Sequence, residues 1–450
     1  MKHGNALILT YARYPVPGKA KTRLIPSLGP EAAARLHRRL TEHAVAVART
    51  TRKVAGKGHI DITLCYTGAS KREFRAWLGT DLDYAPQPSG DLGTRMRAAF
   101  HHAFKGGFAS ALLIGSDVPG ITPDILLQAF EGLRDKDIVL GPAADGGYYL
   151  IGMNTEHPAL FRYKDWGTDR VYKQTCQTIR DSGLRCLVLP ELMDVDRPGD
   201  LPQVQKDPRF EDAITGHSSL SIVIPTINES TTIGRLLRRL GTSKTVQCIV
   251  ADGGSEDDTT QIASQAGAEV MNVSGGRAAQ QNAGATLAKG RLLFFLHADT
   301  LPPHGYAENI RRCLDCPEIV AGAFRFKTDA TGAKMRLIEQ VTNLRSGLLQ
   351  CPYGDQGLFM EKRVFEETGG FAPLPIMEDF ELVRRLRHRG TVVTLGHAAI
   401  TSARRWQQLG VIRTTLINQI MILGFHLGLS FPTLQRLYRN QTRRLGSDSQ

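Results

Sequence analysis

Apolar residues along the chain gather in short runs, and each run is followed by a longer stretch where they recur at three- and four-residue spacing. The runs Ala6–Thr10, Ile60–Tyr66, Ala111–Ile114, Ile138–Leu140 and Cys186–Leu189 read as buried strands, with an amphipathic helix over Pro30–Arg49 among them. The series restarts at Leu220–Pro225 and continues through Gln247–Ala251, Glu269–Val273 and Leu292–Leu296. Strands alternating with crossover helices predict an α/β fold with a mainly parallel sheet, here twice in tandem. Between the two series the polar stretch Asp207–Ser219 carries Pro208, Gly216 and two adjacent serines. That composition predicts domains over 1–212 and 220–450 joined by a linker at 213–219. No short-period repeat or low-complexity tract interrupts either half.

Composition adds limits to this picture. A chain of 450 residues, 42% hydrophobic and 22% charged, is globular and too long for one ordinary core. Its formal net charge of +12 favours anionic partners. Neither zinc-finger spacing nor an RNA-binding aromatic motif is present, so nucleic acid is not an expected partner. The seven cysteines are scattered and odd in number, which predicts free thiols and a cytoplasmic location; Cys313 and Cys316 form a Cys-x-x-Cys with no second pair at zinc-site spacing. The N-terminal residues do not form a secretory signal. From 409 to 431 the chain is largely apolar, but Arg413, Asn418, Gln419 and His426 break any spanning stretch, and Arg436, Arg439, Arg443 and Arg444 follow. The region 409–444 reads equally as a packed helix with a basic tail or as a peripheral contact with the inner face of a membrane.

Chemistry concentrates where strands end. In open α/β sheets ligands bind beyond the carboxyl ends of strands. In the C-terminal half the first strand runs into Pro225-Thr-Ile-Asn228-Glu229 and the second into Ala251-Asp252-Gly-Gly-Ser255, which makes Asp252 the candidate acceptor for a base or ribose. Arg277 and Asn282, within Gly275-Gly-Arg-Ala-Ala-Gln-Gln-Asn-Ala-Gly284, are candidates for a diphosphate or sugar, and Asp299, ending Phe294-Phe-Leu-His-Ala-Asp299, for Mg²⁺ or Mn²⁺. Glu378 and Asp379 open a helix with apolar Leu382, Val383 and Leu386; they serve either the helix dipole or deprotonation of an acceptor hydroxyl.

The N-terminal half has the same plan. Its first strand leads into a Pro/Gly loop bearing Arg13, Lys19, Lys21 and Arg23, a basic set suited to polyphosphate. Asp117 in Gly115-Ser-Asp-Val-Pro119 and Asp196 in Asp194-Val-Asp196 are both expected to follow strands and to share a metal, while Asp194 and Asp200 read as turn or cap residues. A glycine-rich loop, Gly141–Tyr149, places Asp145 and Gly146 among the nucleotide-binding candidates.

Taken in order, the Pro-x-x-Asn-Glu opening, the Asp-Gly-Gly-Ser loop, the Gly-Arg-x-x-Gln-x-Asn-x-Gly segment and the His-Ala-Asp strand end resemble the family 2 glycosyltransferases from Leu220 to about Arg439. The resemblance implies a GT-A-like, Rossmann-related nucleotide-diphospho-sugar transferase fold, nucleotide binding by Asp252, metal coordination by Asp299 and general-base action by Asp379. It also implies that Arg404, Arg405 and Trp406 close on donor phosphate and acceptor. One departure is His297, which stands where the family's Asp-x-Asp has its first carboxylate. The His-Ala-Asp-Thr strand with Tyr353-Gly-Asp-Gln356 is similar to the selenodomain-associated transferases of type 2, named for arsenosugar biosynthesis. The N-terminal half, over Asn5–Leu201, resembles the DUF2064 (selenodomain-associated transferase 1) family, related to molybdenum-cofactor and phospholactate nucleotidyltransferases. Together the resemblances imply a nucleotide-sugar donor and a small-molecule or lipid-linked acceptor. They leave open a nucleotidyltransferase, a second glycosyltransferase or a binding module at the N-terminus.

Overall fold

The computed structural model describes residues 6–56, 59–216, 218–241, 243 and 245–404. Arg405, Trp406 and the whole of 409–444 lie outside the described residues. The chain divides into two compact units, Met1–Gly216 and His217–Gln450.

In the N-terminal unit seven strands form one sheet: β1 (Ala6–Arg13), β2 (Ile60–Thr67), β3 (Asp83–Pro86), β4 (Ser110–Ile114), β5 (Ile138–Pro142), β6 (Tyr148–Met153) and β7 (Cys186–Val188). Their order is β3-β2-β1-β4-β6-β5-β7, with β6 antiparallel to both neighbours and every other pairing parallel. Strand β4 is buried at Ala111–Ile114, as a strand covered on both faces must be. The glycine-rich stretch expected as a loop is shorter than its composition suggests, because Gly141 and Pro142 close β5 and Tyr148 opens β6. The helix expected over Pro30–Arg49 runs from Ile25 to Ala55, broken at Gly29, whose φ of 78° only glycine adopts cheaply. Glu211–Thr215 is helical, with Ala213 buried and Asp212 paired to Arg39, so this part of the polar stretch belongs to the N-terminal core.

The C-terminal unit holds eight strands: β8 (Leu220–Thr226), β9 (Val246–Asp252), β10 (Glu269–Asn272), β11 (Leu292–Phe295), β12 (Thr300–Leu301), β13 (Ile319–Thr328), β14 (Leu358–Glu361) and β15 (Thr391–Thr401). They are ordered β10-β9-β8-β11-β14-β13-β15-β12. The first four are parallel; β14 runs antiparallel to β11 and β13. Phe294, Phe324 and Phe359 pack on one side of this sheet and Phe295, Phe365 and Phe371 on the other. Beyond Ala323, β13 has no β14 partner, and the helix Ala333–Leu348 takes that place with side chains. Asn343 both donates to the carbonyl and accepts from the N–H of Phe326, and Glu339 accepts from the Thr328 N–H and hydroxyl. No disulfide is formed among the described residues. Among the described residues no helix is long and apolar enough to cross a membrane.

The helix Arg277–Leu287 lies against β8 through Gly284, where an added Cβ would come within 2.4 Å of Val223 Cγ1. Replacing a mid-helix glycine by alanine gains about 1 kcal/mol of helix propensity, whereas overpacking costs about 1–3 kcal/mol. Gly284→Ala is therefore expected to lower the midpoint of the C-terminal unit's unfolding transition in urea, followed by tryptophan-independent far-ultraviolet dichroism.

Candidate functional site

Parallel pairing of β8 with β9 sets Thr226 opposite Asp252. The buried Asp252 carboxylate accepts from the Thr226 hydroxyl at 2.9 Å, the Ser255 hydroxyl at 2.5 Å, the Gly254 N–H at 2.9 Å and the Ser255 N–H at 2.7 Å. Burial alone would raise this carboxyl, but those donors outweigh it and hold it low. Four donors fill a carboxylate's lone pairs, so in this conformation Asp252 shapes the loop rather than presenting a free oxygen to a ligand. Asn228 extends the same scaffold: with φ at 53°, it accepts from Glu256 N–H through its side chain while its own N–H donates to Ser255. Asn282, expected to face a diphosphate, instead binds both backbone groups of Phe371, at 2.8 and 2.9 Å. Its amide is a fastener between the helix Arg277–Leu287 and a loop, which sequence spacing could not reveal.

A cavity of about 190 Å³ opens beside these loops, lined by Pro225, Glu229, Arg277, Gln280, His297 and Asp299 among others. Arg404 spans its two acids, with Nη2 3.0 Å from Glu229 Oε2 and 3.8 Å from Asp299 Oδ2. The Asp299 carbonyl accepts from the Ser402 N–H, which fixes where the arginine segment departs from β15. Burial and the nearby Glu229 raise the Asp299 carboxyl, and Arg404 only partly opposes them. The single motif carboxylate seen in the sequence thus acquires a second, Glu229, from the end of β8.

The helix Glu378–Arg387 is entered through Met377, a non-glycine residue at φ 65°. Glu378 is buried, 3.4 Å from Arg277; burial and adjoining Asp379 raise its carboxyl against the pull of Arg277. Asp379 is half-buried and accepts from the Gly354 N–H at 2.6 Å and the Phe380 N–H at 2.7 Å. One donor per oxygen leaves each with a free lone pair. Gly354 is squeezed between two groups: a Cβ there would lie 3.0 Å from Asp379 Oδ2 and 3.1 Å from His297 Nε2. His297 therefore joins Asp379 to the cavity of Asp299. Burial, with Arg277 adding to it, pushes its imidazole down to about 3, so it stays neutral.

In the N-terminal unit a cavity of about 510 Å³ lies at the ends of β1, β4 and β5, lined by His37, Asp117, Asp145, Tyr148, Trp166 and Asp194 among others. Lys21, left-handed at φ 48° and only 4% exposed at its side chain, brings its ammonium 2.9 Å from Asp117 and 3.7 Å from Asp196. Burial would raise Asp117, but Lys21 and His37 overcome it and hold the carboxyl well below the usual range. Arg23 meets Asp196 at 2.6 Å. Asp117 and Asp196, expected to share a metal, both approach the Lys21 ammonium. Asp117 follows β4 directly; Asp196 does not follow a strand but lies in the loop past the Ala143–Leu192 bridge. Arg13 donates to the Lys19 carbonyl, and Lys19 itself is exposed. Asp145 closes its own turn on the Gly147 N–H, and Gly146 at φ 86° abuts the Asp169 backbone so closely that no side chain fits. Asp200 caps the N–H groups of Asp196 and Arg197, the cap its sequence suggested. Asp194, read as a turn residue, lines the cavity, and burial together with Asp145 pushes its carboxyl up to about 6. His37 and Trp166 carried no motif that could have singled them out, and Asp194, although part of the Asp-Val-Asp segment, read only as a turn residue.

Asn228→Ala and Asn228→Gly both lose the bond to Glu256, but only alanine meets the left-handed penalty. Alanine is expected to cost about 1–3 kcal/mol of unfolding free energy and glycine less, read from urea titrations. Because the folded His297 pKa is depressed from 6.5 to about 3, its contribution to stability is full above 6.5 and is lost as pH falls toward 3. His297→Asn should flatten the melting temperature across that window, measured against wild type from pH 7 to pH 4.

The family model described as "Uncharacterized protein conserved in bacteria (DUF2064)" matches residues 50–168, and the model "Glycosyl transferase family 2" matches residues 221–372. Among solved structures, a protein of Desulfovibrio desulfuricans G20 described as a nucleotide-diphospho-sugar transferase is 34% identical, over 46% of this chain and 90% of its own, with a TM-score of 0.42. TarS 1-349 of S. aureus in complex with UDP-GlcNAc is 16% identical over 50% of this chain and 79% of its own, with a TM-score of 0.34. The mannosyltransferase PcManGT of Pyrobaculum calidifontis, in complex with GDP-Man and Mn²⁺, is 13% identical over 52% and 76%, with a TM-score of 0.36. A search of curated proteins returns no match. The chain is a fusion of a DUF2064 domain and a family 2 glycosyltransferase domain, and thus an enzyme of the glycosyltransferase class.

Proposed function

We propose that the C-terminal unit transfers a sugar, with inversion, from a nucleoside-diphosphate donor to an acceptor hydroxyl, with Asp379 as the base. The observation that carries this reading is the placement of Asp379: held by single donors, open on both oxygens, and joined through Gly354 and His297 to the cavity of Asp299 and Glu229. Asp379 takes the acceptor proton as the hydroxyl oxygen attacks the sugar. Neutral His297 keeps a second positive charge away from that carboxylate, and Arg277 and Arg404 face the side where diphosphate charge develops on departure.

Mg²⁺ or Mn²⁺ suits Asp299 and Glu229, two hard oxygen donors whose mutual repulsion is only partly met by Arg404. Bound there, the ion would supply charge neutralisation for the departing nucleoside diphosphate. The Asp117–Asp196 pair differs. Lys21 and Arg23 already neutralise it, so a divalent cation does not fit while the ammonium stays. The N-terminal unit is read as handling a nucleotide or nucleotide sugar, with Lys21 the cation nearest the acids of its cavity.

The test is transfer by the purified chain across a panel of nucleotide sugars with Mn²⁺ or Mg²⁺. Asp379→Asn is expected to lower kcat by about 10²–10⁴-fold, Asp299→Ala to abolish metal-stimulated release of nucleoside diphosphate, and Asp117→Ala to leave both intact. Loss only in Asp117→Ala would move the chemistry to the N-terminal unit. Pyrophosphate release from a nucleoside triphosphate, lost in Lys21→Ala, would mark that unit as a nucleotidyltransferase.

A further inference from the structure

Arg277 and Glu378 each open a helix, Arg277–Leu287 and Glu378–Arg387, and the two helix starts meet beside the cavity of Glu229 and Asp299. The helix dipole favours an acid at a helix start and disfavours a cation, so helix stability accounts for Glu378 and not for Arg277. The Arg277 side chain is 54% exposed and lines the cavity, whereas that of Glu378 is 4% exposed. Their contact, Nη1 to Oε1 at 3.4 Å, is an ion pair without a hydrogen bond, and Oε1 accepts from no other donor. Among the described residues the Arg277 guanidinium donates no hydrogen bond, so its N–H groups remain available.

That combination differs from an ordinary structural pair. Arg291 donates to Glu361 at 2.7 Å, which fixes the arginine by using its donors. Arg277 is attracted to a fixed, buried acid without giving up the N–H groups that a diphosphate takes. A long side chain left free samples many rotamers and loses them on binding; attraction to Glu378 narrows them beforehand to those that reach the cavity. The acid is also shielded from the ligand, because its side chain lies beneath the surface that Arg277 presents.

We propose that Glu378 is a positioning residue, which tethers Arg277 over the cavity by charge alone so that its guanidinium is already aimed at the diphosphate of an arriving donor. The role rests on reading this cavity as the donor site, but not on Asp379 being the base, so it is tested by binding and not by turnover. The experiment is calorimetric titration of the full-length chain with UDP and with GDP, each with Mn²⁺, for wild type, Arg277→Ala, Glu378→Gln and the double variant. Arg277→Ala is expected to weaken binding by about ten- to a hundredfold, the loss of one charge-assisted hydrogen bond. Glu378→Gln keeps the size of the side chain and is expected to weaken binding by about three- to tenfold, the cost of ordering one long side chain. In the Arg277→Ala background the same substitution is expected to leave binding unchanged or to strengthen it, since there it only removes a negative charge near the diphosphate. Glu378→Asp, which retains the charge, is expected to bind within about threefold of wild type and serves as the comparison if Glu378→Gln melts early. Weakening by the same factor in both backgrounds, as a purely structural acid would give, overturns the proposal. So does undiminished binding by Glu378→Gln, or Glu378→Asp binding as poorly as Glu378→Gln. Failure of wild type to bind either nucleotide removes the donor-site reading and the tether with it, whereas full turnover by Asp379→Asn would sink the base and leave the tether standing.

Discussion

Two parallel strands in register can hold the loops that follow them side by side, and the C-terminal unit rests on that constraint. Thr226 pairs with Asp252 across β8 and β9, so the buried carboxylate reaches donors from both loop bases at once. The left-handed turn at Asn228, the exit of Glu229 toward the cavity and the seat of Gln280 on the carbonyls of Thr226 and Ala251 all follow from that pairing. A one-residue slip would turn Asp252 to the opposite face of the sheet and dismantle the loop geometry.

The two units meet the same electrostatic problem differently. Each gathers carboxylates at strand ends, where burial makes them costly unless compensated. In the N-terminal unit a nearly buried ammonium sits against Asp117, and the acid is held firmly ionised. In the C-terminal unit the arginine is half-exposed, more distant from Asp299, and leaves that acid raised. The first arrangement is self-sufficient, whereas the second is unsaturated and has capacity for another positive charge.

Much of this was legible beforehand because parallel strands buried on both faces are continuous apolar runs, and because ligands in such folds bind beyond strand ends. Asp117 follows β4 and Asp299 follows β11, whereas Asp379 lies in the first turn of the helix Glu378–Arg387. What escaped was whatever depends on contacts distant in sequence. Asn282 looks like a polar residue near glycines until Phe371, folded in from far along the chain, occupies its amide. Asp194 looks like a turn residue until Asp145 comes to lie near it. Strands β3, β6, β12, β13, β14 and β15 lay outside the expected series; β6 and β14 pair antiparallel with both neighbours and so interrupt the alternation on which the reading relied, while β3 and β12 are short. The helix before Pro30 was missed because proline and Gly29 read as a start, whereas the chain resumes helical geometry across the break.

The helix Ala333–Leu348 closes an opening in the sheet. Past the end of β14, the backbone of Phe326 and Thr328 would present unpaired groups, the kind of edge along which folded chains add strands to one another. Asn343 and Glu339 imitate the missing strand with side-chain atoms. Self-association by sheet extension is thereby opposed at this edge by one amide and one carboxylate, both half-buried.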